Sequence, residues 1–107
     1  MEMYNKLVRD KIPEIIEQKG EKPLTRLLNP YMRLQELKRK LVEEATEVQG
    51  APSRARVQEE LADVLEVVEA IRETEKIPVR DLEGEVRKRR HERGAFDKGI
   101  FLISVEK

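Results

Sequence analysis

Four acidic residues lie within or at the edge of the apolar faces of two consecutive predicted helices. In the second predicted helix, leucines and a valine recur at the three- and four-residue spacing of one helix face, and Glu44 falls inside that stripe. Glu47 lies one turn further on, at the edge of the stripe. The third predicted helix repeats the arrangement, with Glu60 inside its apolar stripe and Asp63 at the edge. Twice, therefore, the sequence places a carboxylate where a hydrocarbon side chain is expected.

A carboxylate cluster of this kind indicates a site for a hard metal ion. The short connection "GAPS" between the two helices favours antiparallel packing, which brings the two acidic pairs face to face. Four negative charges cannot share a low-dielectric cleft unless they take up protons or cations. Oxygen ligands without His or Cys favour Mg²⁺, with Mn²⁺ as a substitute. The alternative interpretation is that these acids are solvated surface charges on a highly charged chain.

The composition limits the classes of protein that need to be considered. With 107 residues, the chain is expected to form one domain over residues 1–107. Its 22 basic and 22 acidic residues cancel, and aromatic residues make up only 4%, so we expect no nucleic acid partner. The absence of cysteine excludes disulfides and thiol nucleophiles. No apolar run reaches the length of a membrane span and no signal-peptide pattern opens the chain, so we expect a cytoplasmic protein with no membrane partner.

The elements that must position the acids are predicted to be helices. Helix start and stop signals divide most of the chain into four amphipathic segments, which indicates a mainly α fold, a bundle of about four helices. The four predicted helices run from an N-cap at Asp10 to Gly20, from Pro30 to about Gln49, from an N-cap at Ser53 to about Lys76, and from Pro78 to Gly94. Two further segments, Leu24–Leu28 and Gly99–Val105, have strand character and could pair as a small β element.

Two acidic motifs and both ends of the chain resemble a known family. "EEATE" (Glu43 to Glu47) and "EELAD" (Glu59 to Asp63) resemble the EExxE…ExxD signature of the all-α nucleoside-triphosphate pyrophosphatases, the MazG-like superfamily. That superfamily also includes dimeric dUTPases and phosphoribosyl-ATP pyrophosphohydrolase. The opening "NKLVRDKIPEII" and the closing "RKRRHERGAFDKGIFL" resemble a branch described as predicted house-cleaning pyrophosphatases.

The resemblance implies a fold, an activity and a set of site residues. The expected protein is a MazG-like helical bundle, a homodimer or higher homo-oligomer, that cleaves a nucleotide between its α- and β-phosphates. The products would be a nucleoside monophosphate and pyrophosphate. By position, the Mg²⁺ ligands and catalytic residues would be Glu44, Glu47, Glu60 and Asp63. The phosphate-binding residues would be Lys6, Arg9 and Arg93.

Two other functions remain open at the level of sequence. Phosphoribosyl-ATP cleavage in histidine biosynthesis needs the same phosphate chemistry and differs only in how base and ribose are recognised. A helical interaction module whose acids are merely surface charge is the non-enzymatic alternative. At least a dimer is expected, because Leu61 and Leu65 widen the apolar stripe of the third helix and offer a second packing face.

Overall fold

The computed structural model describes residues 1–107 and contains four helices and no strand. The helices are α1 (Ile12–Gln18), α2 (Pro30–Gly50), α3 (Arg54–Thr74) and α4 (Val79–Arg93). The predicted mainly α class is therefore confirmed. The chain separates into two compact units, Met1–Lys76 with α1 to α3 and Ile77–Lys107 with α4. That residues 1–107 form a single domain stays a prediction.

Two capping side chains define where α2 and α3 begin. The side-chain oxygen of Asn29 accepts a hydrogen bond of 2.8 Å from the backbone N–H of Met32. Ser53 does the same for Arg56 at 3.2 Å, as its predicted N-cap position requires. Each bond satisfies a backbone donor that has no partner within the helix. Only three residues connect α2 to α3, so the two helices form an antiparallel hairpin.

The core of the first unit lies between α2 and α3. These helices make the principal helix–helix contact of the chain. Leu37 of α2 and Val67 of α3 are its buried apolar side chains. A core this small leaves the hairpin little apolar burial of its own, and most of its other aliphatic side chains stay partly accessible to solvent.

The start of α1 differs from the prediction. The N-cap is Lys11, whose side chain makes no capping hydrogen bond, and Asp10 lies one residue too early to cap the helix. A backbone hydrogen bond of 3.0 Å from Ile12 N–H to the Arg9 carbonyl closes a turn there instead. The reason is local: Pro13 fits the first turn of a helix that begins at Ile12.

In the second unit, α4 ends at Arg93, and Gly94 is its C-cap. This residue has a φ of +82°, in the region that glycine adopts without steric cost. Arg90, His91 and Arg93 lie in the last turn, where positive charge complements the helix dipole.

The β element does not form. Neither Leu24–Leu28 nor Gly99–Val105 contains a strand. Most of their large apolar side chains are exposed, including Leu24, Leu27 and Phe101. Strand propensity alone cannot hold an extended segment in a sheet, because its backbone groups need a hydrogen-bonded neighbour.

None of the four helices has the length and apolarity that crossing a membrane requires.

Candidate metal centre

Glu44 of α2 and Glu60 of α3 lie in the interface between the two helices. Their side chains are only 12% and 10% exposed. The helical period that turns Leu37 and Val67 toward the opposite helix also turns these carboxylates inward. Burial of a carboxylate is unfavourable unless a cation or hydrogen-bond donor compensates it. Both positions therefore require positive charge nearby.

Asp63 completes a group of three carboxylates. One carboxylate oxygen from each of Glu44, Glu60 and Asp63 lies within 4.8 Å of the other two. Asp63 is one turn beyond Glu60 on α3, and its side chain is partly exposed, so the group opens to solvent at that edge. Three hard oxygen donors at this spacing can hold a metal ion. We call these three residues the carboxylate group.

Two arginines from different segments neutralise the α3 members of the carboxylate group. Arg9 Nη2 donates a 2.7 Å hydrogen bond to Asp63 Oδ1, which ties the segment before α1 to the hairpin. Arg56 Nη2 donates a 3.0 Å bond to Glu60 Oε1 from one turn earlier on α3. Ion-paired hydrogen bonds of this length are stronger than neutral ones. The arginines thus replace, in part, the water that burial removes from these carboxylates.

A lysine performs the same task on α2. Lys40 Nζ lies 3.7 Å from Glu44 Oε1 and 3.6 Å from Glu43 Oε1. Lys6 approaches the same Glu43 oxygen at 3.9 Å. Glu43 is thus held by two lysines at the rim of the carboxylate group, outside the group itself.

The environment of Glu44 disfavours its ionised form. Burial is the main cause that raises the pKa of its carboxyl above the ordinary value, and the negative charges of Asp63, Glu43 and Glu60 add to the increase. Lys40 opposes the shift by favouring the ionised form. A cation bound among these oxygens would relieve the same repulsion, so the site is arranged to gain from binding one.

The structure brings together three of the four acids that the sequence singled out. Glu47 is exposed and lies outside the carboxylate group, although it occupies the position on α2 that corresponds to Asp63 on α3. Of the basic residues, Arg9 contacts the carboxylate group directly and Lys6 reaches only Glu43. Arg93 is an exposed residue at the last position of α4, in the second unit.

Lys40 and Arg56 are the residues that sequence reasoning missed. Each stands four positions before a buried glutamate, and residues at this spacing share one side of a helix. That spacing could have been read from the sequence, but in a chain with 22 basic residues it is not distinctive without the burial of Glu44 and Glu60.

No family model, no curated protein and no solved structure matches this chain. The MazG-like resemblance therefore rests on the motif residues alone.

Proposed function

We propose that this protein is a Mg²⁺-dependent nucleotide pyrophosphohydrolase. The observation that carries the proposal is the carboxylate group, in which Glu44, Glu60 and Asp63 converge from two helices to within 4.8 Å. Two of these acids occupy positions that otherwise belong to the apolar core. Their burial is costly for stability and is best explained by a role that needs ionised oxygen ligands.

The donor set supports Mg²⁺ as the metal ion, with Mn²⁺ as a functional substitute. All three candidate ligands are carboxylate oxygens, and the chain has no cysteine and only one histidine. Zn²⁺ sites rely on nitrogen and sulfur ligands, which are lacking here. Glu44, Glu60 and Asp63 would hold the ion. The resemblance adds Glu47, whose exposed side chain makes it the weakest of the four candidates.

The remaining chemistry needs no nucleophilic side chain. Bound Mg²⁺ would supply charge neutralisation and Lewis acidity at the phosphates. One of the site carboxylates would accept a proton from the water whose oxygen attacks the α-phosphorus. The bond from that phosphorus to the bridging oxygen then breaks, giving a nucleoside monophosphate and pyrophosphate. Arg9 and Lys6 stand at the rim of the site and would contact the phosphates.

The direct test is a product assay. The protein is incubated with Mg²⁺ and a panel of canonical and noncanonical nucleoside triphosphates, with phosphoribosyl-ATP included, and the products are identified by mass spectrometry. We expect nucleoside monophosphate and pyrophosphate from at least one substrate, and loss of turnover in Glu60→Gln. Glu69→Gln is the matched control, since Glu69 also lies on α3 but pairs with Arg72, outside the carboxylate group.

Two outcomes would contradict the proposal. Release of nucleoside diphosphate and orthophosphate would indicate attack at the γ-phosphorus and a different reaction. No turnover of any nucleotide, with no Mg²⁺-induced change in thermal stability, would favour the helical interaction module.

We also propose that the protein is a homodimer or a higher homo-oligomer. Leu61 and Leu65 of α3 are 47% and 68% exposed, and with Val57 and Ala62 they line an apolar cleft on the surface of that helix. A chain with only two buried apolar side chains gains stability by covering such a face with a second copy.

A further inference from the structure

The same arrangement of charges occurs once on each helix of the hairpin. On α3, Arg56 contacts both Glu59 and Glu60, each at 3.0 Å, through its two terminal nitrogens. On α2, Lys40 lies 3.6 Å from Glu43 and 3.7 Å from Glu44. In both helices a basic residue thus holds two successive glutamates, one in the interface and one outside it. We call Lys40 and Arg56 the clamping side chains. Each contacts one member of the carboxylate group, Glu44 or Glu60.

The charge of this network would change sign when a divalent cation enters. Without metal, five carboxylates face four cations, so the network carries one net negative charge (Glu43, Glu44, Glu59, Glu60 and Asp63 against Lys6, Arg9, Lys40 and Arg56). One divalent cation would turn this into one net positive charge. A triphosphate would then be attracted to a site that repelled it before.

The two clamping side chains differ in how they could respond. A carboxylate oxygen that ligates a metal ion is a poorer acceptor for an ammonium or guanidinium group, and the metal ion repels both cations. The Arg56 side chain is 54% exposed and can swing into solvent. The Lys40 side chain is largely buried, but its long flexible stem lets the ammonium move while its methylenes stay packed.

We propose that Lys40 and Arg56 are phosphate-binding residues that change partners when the metal site fills. In the metal-free protein each neutralises an interface glutamate; in the metal-bound protein each is released to bind phosphate oxygens. This inference rests on the function proposed above, and it adds two residues and an order of binding, metal before phosphate. An arginine suits the role because its planar fork matches phosphate oxygens, and a lysine because its ammonium is a mobile point charge.

The test measures two affinities in the same variants. Binding of Mn²⁺ alone and binding of inorganic pyrophosphate, with free Mn²⁺ held in excess, are measured by calorimetry at pH 8 for the wild type, Lys40→Gln and Arg56→Gln. We expect Mn²⁺ to bind two- to fivefold more tightly in both variants, because a competing cation is gone. Pyrophosphate should bind at least tenfold more weakly. Arg56→Lys, which keeps the charge, should restore the wild-type Mn²⁺ affinity and part of the pyrophosphate affinity.

Arg39→Gln is the matched control. Arg39 is the neighbour of Lys40 on α2 and pairs with Glu36 at 3.7 Å, outside the carboxylate group, so both affinities should be unchanged. Circular dichroism melts verify that each variant folds. Unchanged pyrophosphate affinity in Lys40→Gln and Arg56→Gln, with normal Mn²⁺ binding, would overturn this inference and leave the proposed function intact. If the wild type bound no Mn²⁺, this inference and the proposed function would both be refuted. If it bound Mn²⁺ but no pyrophosphate, only the proposed change of partners would be refuted.

Discussion

Replacing Glu44 by glutamine should make the metal-free protein more stable and abolish its stabilisation by Mg²⁺. At the 4.8 Å limit of the carboxylate group, two unit charges repel by about 1 kcal/mol in a water-like medium and about 3.5 kcal/mol at an effective dielectric constant of 20. Glutamine at position 44 removes two such repulsions, from Glu60 and Asp63, which Arg56 and Arg9 weaken, and one attraction, to Lys40 at 3.7 Å. Part of one repulsion is thus left over, and the burial of an ionised group is removed as well.

The net gain for Glu44→Gln is therefore about 1 kcal/mol of unfolding free energy without metal, which corresponds to about 4 °C in the midpoint of a chain this size. At a Mg²⁺ concentration ten times the dissociation constant, the wild type should gain about 1.4 kcal/mol and the variant almost nothing. Glu44→Gln would therefore be more stable than the wild type without metal, and the wild type would be the more stable of the two with Mg²⁺.

Urea denaturation followed by circular dichroism measures both quantities, in EDTA and in Mg²⁺, at one protein concentration so that self-association is held constant. Glu36→Gln is the matched control: Glu36 also lies on α2, with a side chain 25% exposed, but it pairs with Arg39 away from the carboxylate group. It should leave the Mg²⁺ gain intact. Destabilisation of Glu44→Gln in EDTA, or a Mg²⁺ gain equal to that of the wild type, would refute the reasoning.

Three further predictions concern pH, the fourth acid and the exposed face of α3. Burial raises the pKa of Glu44, so the native chain takes up this proton before the unfolded chain does. The advantage of Glu44→Gln at pH 7 should therefore fade as the pH falls through the raised pKa and vanish below the ordinary value of 4.5; urea titrations at pH 7 and pH 4 in EDTA check this, and a constant difference would contradict it. Asp63→Asn should lose the Mg²⁺-induced gain in thermal midpoint while Glu47→Gln keeps most of it, since only Asp63 lies within the carboxylate group; equal losses would restore the four-ligand set that the resemblance implies. Leu65→Glu should shift the mass by light scattering from dimer to monomer, because it places a charge on an apolar face that a second copy would cover, whereas an unchanged mass would exclude this face as the interface.

Much of the local structure of this protein follows from the sequence alone. Helix boundaries depend on short-range signals, and Ser53 caps α3 as predicted, although the N-cap of α1 is Lys11 and not Asp10. The inward direction of Glu44 and Glu60 follows from helical periodicity, because a residue's face is determined by its spacing from neighbouring apolar residues.

Only the tertiary structure decided which acids meet. Glu47 and Asp63 hold equivalent positions at the edges of their stripes, yet only Asp63 joins the carboxylate group. A helical wheel gives the direction of each side chain around its own helix. It does not give the rotation and axial offset between two packed helices, which depend on how their side chains interdigitate. The contact between Arg9 and Asp63, 54 residues apart in the chain, could not be found from local spacing either. Local spacing also could not show that the two strand candidates stay unpaired, because pairing requires a neighbouring strand that only the three-dimensional arrangement can supply.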